Sequence, residues 1–154
     1  MANAKNAATL KAFDASDWHV GVVVARFNHQ FTVPMKDLAL KTLTAKYKVK
    51  KDNVTIIEVA GSADMPAPLE VLARNDLNKC LITIGAVIKG ETVHNQYVSQ
   101  IAVEAIKDVA IKHAKPIAFG IITADNEAQA KARAEHAAGY VDAAMHAAKA
   151  IEES

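Results

Sequence analysis

The chain has 154 residues, 51% of them hydrophobic, with 18 lysines and arginines against 17 aspartates and glutamates. That length suits a single domain, 1–154, with a sizeable core, and the balanced charge gives no bulk attraction to nucleic acid or membrane surfaces. No apolar run approaches the ~20 residues of a membrane span. Residues 1–11 lack the apolar core of a signal peptide and read as loosely ordered, so a cytoplasmic protein is expected. The single cysteine, Cys80, cannot form an internal disulfide and sits in apolar company as a packing residue. The six histidines form no HExxH-type pair, so no metal is expected.

Four apolar runs rich in β-branched residues alternate with helical patterns. The first, at 20–25, reads as a strand and is followed by a helix over 32–48, whose apolar face carries Met35, Leu38, Leu43 and Tyr47, with Pro34 in its first turn. A second strand at 54–59 precedes a helix over 65–77, where Pro66 and Pro68 are acceptable only near the start. The third strand, 80–88, leads through a glycine turn into a stripe of Tyr97, Val98, Ile101, Ala105, Ile106 and Val109, about five helical turns long. A fourth strand at 116–123 precedes an alanine-rich helix over 126–152, where Gly139 marks a bend or division. Near-continuous apolar strands predict a parallel sheet covered on both faces, with right-handed crossovers.

In such sheets ligands collect beyond the carboxyl ends of the strands. Every unusual polar cluster falls at one of those ends. Arg26-Phe27-Asn28 follows the first strand; Phe27 is either a loop aromatic or a stacking platform for a planar heterocycle. Gly61-Ser62-Ala63-Asp64 follows the second, and Asp64 there is a helix cap or a hydrogen-bond acceptor for a polyol. Gly85 to His94 follows the third. Its glycine turn brings backbone N–H groups to a helix N-terminus, a ready anion site, and the helix field favours a neutral imidazole at His94. The bland alternative is that Thr92 caps the helix and His94 is a surface residue. Arg133, beyond the fourth strand, is a solvated helix arginine or a phosphate clamp reaching a neighbouring subunit.

In this order and spacing, four motifs resemble the lumazine synthase family. They are Val24-Ala25-Arg26-Phe27-Asn28, Gly61-Ser62-Ala63-Asp64-Met65-Pro66, Gly85 through His94, and Phe119 through Asp125 with Gln129-Ala130 and Arg133. The resemblance runs from about Val20 to Glu152, and the short segment after Arg133 is similar to the archaeal branch. It implies a flavodoxin-like αβα sandwich with a four-stranded parallel sheet, homopentamers, and in some members a shell of twelve pentamers. The implied reaction condenses 5-amino-6-(D-ribitylamino)uracil with 3,4-dihydroxy-2-butanone 4-phosphate. It gives 6,7-dimethyl-8-ribityllumazine in riboflavin biosynthesis and releases phosphate, with no metal or redox cofactor.

Carried over by position, the resemblance implies that Phe27 stacks on the pyrimidine and that Ser62 and Asp64 hold the ribityl chain. Val87, Ile88 and Lys89 line the strand end, and Gly90, Glu91 and Thr92 form the phosphate subsite. His94 transfers protons, Arg133 clamps phosphate, and Phe119 supplies the facing wall from an adjacent subunit. Four positions depart from the family: Ala60 stands where a proline is usual, Ala63 where an aromatic is common, and Asn95-Gln96 where most members carry phenylalanine and a carboxylate. Ala63 and Asn95-Gln96 favour a second expectation, a non-catalytic member that binds flavin or lumazine or serves as an assembly scaffold.

Overall fold

The apolar run at 20–25 forms the inner strand β1 (His19–Ala25), whose last six residues are all buried. In the computed structural model, residues 10–90 and 93–154 are described. The earliest residues, 1–9, therefore lie outside it, but the Lys11 carbonyl accepts a hydrogen bond from His146 Nε2 at 2.9 Å. The other strands are β2 (Val54–Val59), β3 (Asn78–Ile88), β4 (Ile117–Ala118) and β5 (Ile121–Ala124). All pairings are parallel, in the order β2-β1-β3-β4, with β5 also paired to β3.

Alternation along each strand divides the core in two. Val20, Val22 and Val24 of β1 and Cys80, Ile82 and Ile84 of β3 face one layer of helices, α1 (His29–Lys41), α4 (Glu127–Ala134) and α5 (Ala137–Glu152). Val23, Ala25, Leu81 and Val87 face the other, α2 (Pro66–Arg74) and α3 (His94–His113). The fold is the three-layer αβα sandwich that the alternating pattern predicts. Cys80 is a packing residue: its sulfur meets that of Met145 at 3.8 Å, and burial pushes its thiol up to about 12.

Five strands stand where four are predicted, because the run at 116–123 is interrupted at Phe119-Gly120. Ile82 pairs with Ala118 and Gly85 with Ile121, so the register is the same on both sides of the gap. The cause is Thr83. Its hydroxyl donates to the Ala118 carbonyl at 2.7 Å and accepts from the Gly120 N–H at 3.0 Å, replacing ladder bonds with side-chain bonds. A Cβ at Gly120 would collide with the Thr83 carbonyl, so only glycine allows this approach.

Other boundaries also differ from the sequence pattern. Asn28 adopts the left-handed conformation, which suits asparagine, and starts α1 at His29, so Pro34 lies in the second turn. The predicted helix over 32–48 ends as a π turn, Thr42–Lys46, where Thr42 and Thr44 bond back to the carbonyls of Leu38 and Leu40. The helix over 126–152 divides at Glu135-His136 rather than at Gly139; Asn126 caps α4 by accepting the Gln129 N–H at 2.9 Å. β2 is not covered on both faces. It is an edge strand, and its Thr55, Ile56 and Glu58 are exposed.

Candidate functional site

A cleft of about 370 Å³ opens beyond the carboxyl ends of β1, β2 and β3. Backbone bonds fix its first wall: the Phe27 N–H donates to the Ala60 carbonyl at 2.8 Å, joining the loop after β1 to the loop after β2. Phe27 is 66% exposed and its ring leans on Gly61, where a Cβ would stand 2.8 Å from the ring. An aromatic of this size is left open to solvent on one side while its other side is supported, which suits stacking. Asn28 Nδ2 donates to the Ala86 carbonyl at 2.8 Å and ties the same loop to β3.

The second wall is the 3₁₀ turn Ser62–Asp64. Asp64 Oδ2 accepts the Gly61 N–H at 2.9 Å, so the capping reading of this carboxylate holds, and the same residue also lines the cleft. Ser62 is 3% exposed and, among the described residues, its hydroxyl has no hydrogen-bond partner. Buried polar groups are normally paired, so an orphan hydroxyl on a residue that lines a cleft stands out. Gly85 makes room for it, since a Cβ there would lie 2.5 Å from Oγ.

The floor is the apolar end of β3, Ala86 to Ile88, with Gly90 beyond it. The third wall is the start of α3. His94 is its first helical residue, and Tyr97 and Ile101 continue the same face one and two turns on. The helix pattern places Tyr97 and Ile101 on the core stripe, yet they are 62% and 45% exposed and line the cleft. Their spacing from His94 (i+3, i+7) is the signal that could have found them.

The cleft thus gathers Phe27, Ser62, Asp64, Val87, Ile88, Gly90 and His94 from the sequence-derived set. Lys89 is exposed at the strand end and lies outside it; its N–H donates to the Ala124 carbonyl at 2.8 Å. Glu91 and Thr92 fall outside the described residues. Phe119 and Arg133 line a separate depression of about 650 Å³ along β5 and the start of α5, which shares no lining residue with the cleft. There an Arg133 Nη1 donates to the Thr123 carbonyl, holding the guanidinium against the sheet end.

Charge separates the two concavities. Among the described residues lining the cleft, Asp64 is the one with a full formal charge; the arginine belongs to the other depression. Chemically, the cleft combines a stacking ring, a buried hydroxyl, a carboxylate and an imidazole. That set can hold a planar polar ring with a polyol tail and move a proton. It supplies no described cation for a phosphate. No helix among the described residues is long and apolar enough to cross a membrane. The sequence model of the 6,7-dimethyl-8-ribityllumazine synthase family, a transferase family of riboflavin biosynthesis, matches residues 17–153, a span that holds every strand and both concavities, and the chain belongs to that family.

Proposed function

We propose that the protein condenses 5-amino-6-(D-ribitylamino)uracil with 3,4-dihydroxy-2-butanone 4-phosphate to 6,7-dimethyl-8-ribityllumazine, releasing phosphate. The pyrimidine stacks on Phe27, and its ribityl hydroxyls meet the Ser62 hydroxyl and the Asp64 carboxylate. The substrate amine attacks the ketone carbonyl and loses water to form an imine. Elimination of phosphate follows, then ring closure with loss of a second water. His94, at the cleft rim, carries the protons between these steps. Holding the two reactants side by side lowers the barrier independently of any one group.

The observation that carries this reading is the unpartnered Ser62 hydroxyl beside Phe27 in a cleft of a family member. The separation of Arg133 and Phe119 from that cleft supports assembly as the means of completing it. A second copy of the chain brings its Phe119 and Arg133 against the Phe27 cleft, closing the facing wall and supplying the phosphate cation. A homopentamer is the assembly proposed.

A second reading has its own support: the residue beside His94 on the cleft wall is Asn95, an amide, where a carboxylate nearby would stabilise an imidazolium. Under that reading the protein binds a lumazine or flavin without turnover, or acts as a scaffold. Product formation from the two substrates, followed by lumazine absorbance and released phosphate, decides between them. Turnover with one phosphate per lumazine supports the synthase; tight lumazine binding without turnover supports the binding protein.

A further inference from the structure

Tyr140, in the first turn of α5, lines the same depression as Phe119 and Arg133. Its ring packs on Gly120, where a Cβ would stand 2.9 Å from Cδ2, so the interruption between β4 and β5 sets the ring's position. Among the described residues its hydroxyl makes no hydrogen bond. Burial pushes the phenol above its ordinary value of 10, with an opposing pull from nearby Arg133. The hydroxyl therefore keeps its proton at neutral pH and remains available as a donor. Arg133, held by the Thr123 carbonyl, approaches from the preceding helix.

An arginine grips two oxygens of an oxyanion in parallel. A phosphate monoester has three terminal oxygens, and the third needs a donor from another direction. A neutral phenol meets that need on a partly buried ring whose position is set by packing. We propose that Tyr140 is a positioning residue for a phosphate monoester, donating its hydroxyl to an oxygen of the group that Arg133 holds, and so favouring the phosphate ester over the unphosphorylated hydroxyketone. The inference rests on the reading that Arg133 meets the phosphate of a substrate shared between two copies of the chain.

The test compares the full-length wild type, Tyr140→Phe and Arg133→Ala in steady-state kinetics, with binding of inorganic phosphate by calorimetry as a readout independent of turnover. Tyr140→Phe keeps the ring on Gly120, so its melting temperature stays at the wild-type value. The expected result is a rise of about tenfold in KM for the phosphate substrate, the scale of one hydrogen bond to a charged group, with a matching loss of phosphate affinity. The pyrimidine KM changes by less than about twofold on the same reasoning. If Arg133→Ala weakens phosphate binding and Tyr140→Phe does not, the role of Tyr140 is overturned and the clamp stands. If Tyr140→Phe raises both KM values equally, the residue is structural and the proposal fails. If neither variant affects phosphate, the Arg133 reading fails and takes this proposal with it.

Discussion

Ser62 and Gly85 are coupled: the serine hydroxyl occupies space that any side chain at position 85 would take, 2.5 Å from where its Cβ would lie. The hydroxyl is buried there with no partner among the described residues, so the protein bears a desolvation cost, which under the synthase reading a substrate hydroxyl offsets. Ser62→Ala is therefore expected to raise stability by about 1 kcal/mol while weakening the pyrimidine substrate. Urea unfolding with an unchanged slope, together with the pyrimidine KM, checks both halves. Lower stability with an unaltered KM would show that the hydroxyl is a structural group.

Gly120→Ala meets backbone rather than a flexible side chain, because the Thr83 carbonyl stands where its Cβ must go. Relief requires separating β5 from β3 near Gly85, against which the Ser62 hydroxyl packs. A loss of about 3 kcal/mol is expected, at the upper end of typical overpacking costs. Chemical denaturation measures it; a wild-type midpoint would mean that the strand interruption yields without cost.

His94→Ala removes an imidazole from the first turn of an otherwise intact helix, so far-ultraviolet circular dichroism and oligomeric state are expected to stay as in the wild type. Under the synthase reading kcat falls by about 10²-fold, the lower end for a general acid–base group, since proximity supplies much of the rate. An unchanged kcat would remove His94 from the chemistry.

Glu70 links α2 to α3. Its carboxylate accepts from Lys112 Nζ at 2.9 Å and from His113 Nε2 at 2.8 Å, and these bonds, Lys112 first, hold it below its ordinary value of 4.5. A carboxylate with a depressed folded value stabilises the protein above the ordinary carboxylate range and loses that contribution as pH falls through the depressed value. Glu70→Gln is thus expected to flatten the decline in melting temperature on acidification below that range. A wild-type acid profile in the variant would show that solvent screening cancels the pairing.

Much of this was legible locally. Continuous β-branched runs located β1, β2 and β3, and period-two burial within β1 and β3 explains why both faces of those two strands are covered. What failed was whatever depended on a partner distant in sequence. The gap at Phe119-Gly120 is imposed by Thr83, 36 residues before Ala118's neighbour Phe119. Tyr97 and Ile101 fit a core stripe by spacing, but both are exposed and line the cleft instead of packing into the core. The bareness of β2 follows from its place at the sheet edge, which no strand pattern encodes.

By itself the sequence determined the chemistry present: which aromatic, hydroxyl, carboxylate and imidazole stand at strand ends, and the family those motifs resemble. Only the tertiary structure decided how they are distributed. It put Phe27, Ser62, Asp64 and His94 around one cleft and Phe119, Arg133 and Tyr140 around another. The physical reason is that strand order and helix layering, set by long-range packing, determine which loops share a concavity, whereas periodicity and caps act within a few residues of one another.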